Sequence, residues 1–323
     1  MNFHLDLQIK PFTKKVHYQQ TLFFIGSCFA ENMALQMQSY KFNTVLNPHG
    51  VLYNPDSMAV AIRSYLENKE VEEKDLFYAN HAYHSWQHHS RFSNTDKTNC
   101  LYNINQHIHT AHQALKTADW LFITFGSAYV YNHKPNGLRV GNCHKQPLQD
   151  FIKELLEIEE MLGCYQQLIA ELLQFNPELK ILFTVSPVRY IRDGVVENNR
   201  SKARLLETVH RLTDNEKIFY FPAYELIMDD LRDYRFYKTD LVHPNDQAIE
   251  YVFQKLIPAL FDQKTAELFE KIKDILKARS HRVMSNNLEA HRQFRSTYLK
   301  RCEQLQHEYP FLSLKEELAY FGN

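Results

Sequence analysis

Three short runs of the chain are apolar almost without a break: Thr21-Leu22-Phe23-Phe24-Ile25, Trp120-Leu121-Phe122-Ile123-Thr124-Phe125 and Lys180-Ile181-Leu182-Phe183-Thr184-Val185. A strand with one wet face alternates apolar and polar residues. One that stays apolar at successive positions is buried on both faces, as in a parallel sheet covered by helices on two sides. Weaker runs at Phe42 to Leu46 and Lys217 to Phe221 fit the same description. Between them lie helical patterns at about Ala30 to Ser39, Pro55 to Asn68, Ile104 to Thr117, Leu148 to Phe175 and Arg200 to Thr213. This alternation predicts an α/β fold: a doubly wound, mainly parallel sheet flanked by helices in three layers, as in flavodoxin-like proteins. Ligands bind such sheets at the carboxyl ends of the strands. The segments to inspect are therefore Gly26 onward, Asn47 onward, Gly126 onward, Ser186 onward and the loop ending at His243.

From about Thr265 the character changes. Two stretches rich in Lys, Arg, Glu and Gln run to about Ser280 and from Asn286 to about Glu308. The expected division is an α/β domain over 1–262 and a C-terminal helical extension over 263–323, packed on the core or forming a homo-oligomer contact. A formal net charge of -1 over 323 residues argues against a nucleic-acid partner, which needs clustered basic residues. Five cysteines, widely spaced and with no CxxC pair, argue against a disulfide framework or zinc ribbon and fit reduced thiols in a cytoplasm. MNFHLDLQIKPF has no basic segment leading into an apolar one, and the longest apolar runs are far too short to span a bilayer. The expectation is a cytoplasmic protein with no membrane partner. With 8 glycines and no GxGxxG, no nucleotide loop is present and no cofactor is implied.

In FFIGSCFAEN a strand ends at Gly26 and turns at once into a helix, so residues 27 and 28 lie at a helix N-terminus above the sheet edge. Free N–H groups there favour an anion, and a thiol in that place is expected to have a lowered pKa and to be a nucleophile at neutral pH. The plainer reading makes Ser27 an N-cap and Cys28 a small buried residue. Near the end of the core, Asp240-Leu241-Val242-His243 places a carboxylate three residues before an imidazole, close enough to converge from one tight loop. Histidine titrates near operating pH and suits a general base. The plainer reading makes Asp240 a turn residue and His243 an exposed one.

FFIGSCFAENM contains the string for which the GSCFA family is named, and it resembles the first block of SGNH (GDSL-like) hydrolases, where Gly-Asp-Ser follows the first strand. NPHGVLYNP, HHSRFS, FGSAYVY, NCHK, TVSPVR and FPAYELIMDDLRDYRFY, the last leading into DLVHP, are similar to further GSCFA segments and occur in the same order. The resemblance covers roughly Phe23 to Phe261. It implies an SGNH-like fold and acyl transfer at an ester or thioester of a small molecule or saccharide. Laying Gly-Asp-Ser on Gly26-Ser27-Cys28 puts the nucleophile at Cys28, with Ser27 the alternative; Asp240 and His243 match the last block as orienter and base. The oxyanion donors implied are the N–H of Cys28 and the N–H of Gly50. The Asn of the third block is missing from Gly126-Ser127-Ala128-Tyr129, leaving Ser127 or Asn142 to replace it. Gly126, His88, His89 and Arg91 are implied as substrate-binding residues. The dense group His81, His84, His88 and His89 also admits a metal site or a structural loop, but it lacks HExxH and a telling acidic or Cys ligand, and no metal is expected. An alternative in another class is an SGNH-fold ligand-binding module that has lost its chemistry.

Overall fold

The computed structural model describes residues 6–280 and 288–322. The start expected at Asn286 for the second C-terminal helix, and the first five residues of the N-terminal segment, lie outside the described residues. The central sheet has five strands: β1 (Thr21–Gly26), β2 (Asn43–Leu46), β5 (Trp120–Phe125), β9 (Lys180–Val185) and β10 (Ile218–Tyr220). They run in the order β10-β9-β5-β1-β2, and every pairing is parallel. The three strong apolar runs are its three inner strands.

Their side chains divide cleanly between two cores. Leu22, Phe24, Trp120, Phe122 and Leu182 face one, with helices α1 (Cys28–Ser39), α7 (Asp246–Leu260) and α8 (Gln263–Ser280). Phe23, Ile25, Leu121, Ile123, Phe125, Ile181 and Phe183 face the other, with α2 (Pro55–Glu67), α3 (Lys97–Thr117), α4 (Ile158–Phe175) and α5 (Val195–Leu212). Both faces of each strand are dry, which is why the runs are apolar throughout. The arrangement is the expected three-layer, doubly wound sheet.

Two smaller sheets were not legible. A hairpin pairs β3 (Leu76–Ala79) with β4 (Ala82–Ser85), and an antiparallel sheet joins β6 (Tyr129–His133), β7 (Leu138–Val140) and β8 (Phe151–Leu155). The helix expected from Leu148 therefore begins only at Ile158. Phe151–Leu155 alternates buried and less buried positions, the two-residue period of a half-covered strand, and it pairs with β6. After β10, a short α6 (Ala223–Glu225) runs into a π-helical turn at Leu226–Leu231.

The C-terminal α8, α9 (Leu288–Glu308) and α10 (Lys315–Gly322) complete the first core. Leu268, Phe269, Ile272, Ile275, Cys302, Leu305 and Phe321 are buried with Phe253 and Phe261. Glu317, fully buried, takes Lys41 of the α/β core and Arg279 of α8 as ion-pair partners. Among the described residues no helix is long and apolar enough to cross a membrane.

Candidate active site

The turn from β1 to α1 depends on Gly26. Its φ is +143°, and a Cβ there would lie 2.3 Å from the carbonyl oxygen of Thr124 on the neighbouring β5. Ser27 follows as the N-cap: its Oγ accepts the N–H of Phe29 at 3.3 Å, and its own N–H donates to Thr124 O. Ser27 is buried, at 1% exposure, whereas Cys28 is the first residue of α1 and half-buried. Part of the plainer reading thus holds for Ser27, which is a structural cap.

Cys28 departs from expectation in its titration. Burial pushes its thiol above the ordinary value, and the carboxylate of Glu31 adds to this. The N–H groups of Cys28 and Phe29 and the ammonium of Lys202 pull the other way without overcoming desolvation. The lowered pKa expected from the helix N-terminus is therefore corrected. The helix end does act on the sulfur, but one turn of partial charge is outweighed by loss of water.

Asp240 and His243 converge as their spacing suggested. Nδ1 of His243 lies 2.7 Å from Oδ2 of Asp240. The other carboxylate oxygen accepts the N–H groups of Val242 and His243 at 2.9 and 3.0 Å. These two N–H bonds, with the imidazole, hold the Asp240 carboxyl down at about 2. Leu241 between them adopts φ +58°, unusual for a residue with a side chain. Arg189, in the loop after β9, fixes this loop to the sheet end. Its N–H donates to Val242 O (3.2 Å), its Nη1 to Leu241 O (3.5 Å), and its guanidinium stacks on Tyr237 and Tyr234. Both side chains of the pair remain about half exposed. Among the described residues no hydrogen bond joins His243 to Cys28 or Ser27.

The implied oxyanion donors are mostly engaged elsewhere. Gly50, at φ +80°, donates its N–H to Asn47 O at 2.7 Å, and a Cβ there would overlap His89 Cβ at 2.1 Å. Its glycine is required by the close approach of the histidine loop. Ser127 directs its Oγ to Ser201 (3.3 Å) and accepts the N–H of Tyr129, while the N–H groups of Gly126 and Ser127 both donate to Tyr53 O. Asn142 donates to Ser90 Oγ (3.3 Å) and accepts the N–H of His144. The N–H of Cys28 acts on its own sulfur.

The histidine loop is built into the protein. His88 is 2% exposed, stacks on His49 at 3.9 Å and shares a hydrogen bond with Ser85 Oγ. Burial drives its pKa to about 3, so it is neutral. With Phe77 and Trp86 it borders a cavity of about 790 Å³ whose lining includes none of Ser27, Cys28, Asp240 and His243. His84 bonds Ser93 and Ala79 O, and His89 accepts the N–H of Arg91. Arg91 donates to Asn47 O and lies 3.7 Å from Glu31, the same carboxylate that acts on Cys28.

Two residues escaped the sequence reading. Asn47, buried just after β2, accepts the N–H of Gly26 on its Oδ1 at 2.8 Å, while its Nδ2 is buried without a partner. Its signal was the NPHG turn after a weak strand, in which only the glycine stood out. Lys202 is buried in α5, and its ammonium acts to lower the Cys28 thiol. A lysine inside a charged helix carries no local mark of burial.

A cleft of about 530 Å³ adjoins the Asp240–His243 loop through Arg189, with Tyr224, Tyr234, Tyr237, Asp229 and Arg232 on its walls. Among solved structures, a carbohydrate esterase family 3 protein from Talaromyces cellulolyticus is similar over 79% of this chain and 99% of its own, at 9% identity and a TM-score of 0.37. A family 3 carbohydrate esterase from Clostridium thermocellum is similar over 78% and 97%, at 8% identity and a TM-score of 0.37. An acetyl xylan esterase from the rumen bacterium Butyrivibrio proteoclasticus is similar over 81% and 66%, at 9% identity and a TM-score of 0.35. No curated protein matches the chain. The profile of the GSCFA domain protein C-terminal domain matches residues 272–323, which contain most of the helices closing the first core. The profile of the GSCFA family matches residues 21–256, from the first strand through the Gly26–Cys28 turn and the Asp240–His243 loop into α7, and the chain belongs to that family.

Proposed function

We propose that this protein is an acyl-transfer enzyme of the SGNH type, acting as an esterase on small-molecule or saccharide esters with Cys28 as nucleophile. The observation that carries the reading is the Asp240–His243 pair, hydrogen-bonded at 2.7 Å and tied through Arg189 to the loop after β9, at the same carboxyl edge of the sheet as Cys28. With Nδ1 held by Asp240, Nε2 of His243 is left to take a proton. In the reaction, Cys28 Sγ attacks the acyl carbon and His243 takes the thiol proton. The carbonyl oxygen gains charge beside the Cys28 N–H, the alcohol leaves with the proton, and water or another acceptor then releases the acyl group from the thioester. His243 must come within about 3 Å of the sulfur or a bridging water when substrate binds. The tyrosine faces and charged groups of the cleft beside Arg189 suit a polyhydroxylated acceptor. The printed activity of the structural relatives, carbohydrate esterase, agrees with this substrate class.

Hydrolysis of p-nitrophenyl acetate and of acetylated xylo-oligosaccharides tests the reading. Cys28→Ala and His243→Ala should each lower kcat on the order of 100-fold or more, and Ser27→Ala should retain most activity. An acetylated Cys28 peptide should be recoverable after rapid acid quench. Full activity in Cys28→Ala would sink the assignment. A second reading, a ligand-binding module without chemistry, is favoured by the raised thiol of Cys28 and the engaged Gly50 and Ser127 donors. It expects no turnover by wild type on any acyl ester, together with saturable binding.

A further inference from the structure

Lys202 lies on the inner face of α5 at 1% exposure, among the largest fully buried side chains of the protein. Its Nζ donates to Gly126 O and to Ser186 O, both at 2.6 Å. These are the first residues beyond β5 and β9, and β5 is the strand paired with β1, which delivers Gly26 and Cys28. Among the described residues no carboxylate pairs with Lys202; the ring of Tyr224 stands 5.9 Å away. Burying an ammonium without a carboxylate is costly, and a methionine of similar length would fill the same space. Such a group calls for a reason beyond packing.

Cys28 supplies one. The groups that act most on its sulfur are Glu31 from α1, which opposes a thiolate, the N–H groups of Cys28 and Phe29, and Lys202 from α5, which favours it. Tyr53, in the loop before α2, feels the same sulfur. Lys202 is thus the cationic side chain among the largest influences on that sulfur. We propose that Lys202 is a positioning residue that clamps the strand-end turns at Gly126 and Ser186 and supplies the positive charge that stabilises an anion at Cys28. This rests on the reading of Cys28 as nucleophile. Burial lowers the Lys202 ammonium to about 7, and Cys28 acts to raise it, so the two groups are electrostatically linked in both directions.

The test is the pH dependence of Cys28 alkylation by iodoacetamide, followed by mass spectrometry of the Cys28 peptide in wild type, Lys202→Met and His243→Ala, with near-UV circular dichroism as the check on folding. In Lys202→Met the thiol midpoint should rise, and alkylation near pH 6.5, where the wild-type ammonium is mostly charged, should slow about tenfold. Loss of a clamp alone would lower the melting temperature and leave the midpoint in place. A midpoint that moves in His243→Ala but not in folded Lys202→Met overturns the proposal. Should Lys202→Met not fold, the reverse measurement keeps Lys202 intact. The 13Cε resonance of Lys202 is titrated in lysine-labelled wild type and Cys28→Ala, where the midpoint should fall without the thiol, and an unchanged midpoint overturns the proposal. Loss of esterase activity in Cys28→Ala is read separately, so a wrong nucleophile and a wrong cation give different results.

Discussion

Asn47 holds the Gly26–Cys28 turn, with its side-chain oxygen accepting the N–H of Gly26 at 2.8 Å. Asn47→Ala leaves that N–H buried and unpaired, which should cost about 2 kcal/mol, read as a lower urea midpoint at unchanged slope. Asp240 makes a different kind of prediction because it lies at the surface. Its carboxyl sits at about 2 against an ordinary 3.8, so its pairing with His243 is complete above about pH 4 and is lost as pH falls through about 2. A pH–rate profile taken between about pH 5 and pH 9 should therefore carry no inflection from Asp240. Asp240→Asn should keep the fold and lower kcat on the order of 100-fold, since the amide cannot hold the imidazole in the same charge state. Unaltered kcat in that variant would remove Asp240 from the mechanism.

At the scale of elements, the site is made of strand ends joined by short links. Gly26 ends β1, Gly126 follows β5, Ser186 follows β9, and the 240–243 loop is brought in by Arg189. Arg189 contributes through its stacking on Tyr234 and Tyr237 and its bond to Leu241 O, outside the packed core. Arg189→Ala should leave the melting temperature within about 3 °C of wild type, while amide exchange at Val242 and His243 speeds up and kcat falls. Slow exchange in the variant would show that Asp240 alone holds the loop. The elements that sequence reading missed are the short ones: β3, β4, β6 and β7 have three to five residues each and owe their form to antiparallel partners. β8 was hidden inside a helical pattern for the same reason. Its Ile152 and Glu154 face outward only because β6 lies beside it.

For the whole molecule, the boundary drawn after residue 262 divides the chain but not its core. Leu268, Phe269, Ile272 and Ile275 of α8 are buried against Phe253 and Phe261, each contributing about 2 kcal/mol through burial. Their sum, on the order of 8 kcal/mol, is comparable to the stability of an ordinary domain. A chain ending at residue 262 should therefore fail to give a cooperative thermal transition and should aggregate on size exclusion. A monomeric, cooperatively melting truncated chain would contradict this. The sequence by itself determined the parallel three-layer sheet, because strands dry on both faces must be apolar at every position. It also determined the Asp240–His243 pair, because three residues of separation bring the two side chains together within one loop. Only the tertiary structure decided the state of Cys28, the engagement of Gly50, Ser127 and Asn142, and the burial of Lys202 against the carbonyls of Gly126 and Ser186. Those depend on desolvation and on partners distant in the chain, such as Lys202 and Gly126, 76 residues apart, and local pattern carries no record of either.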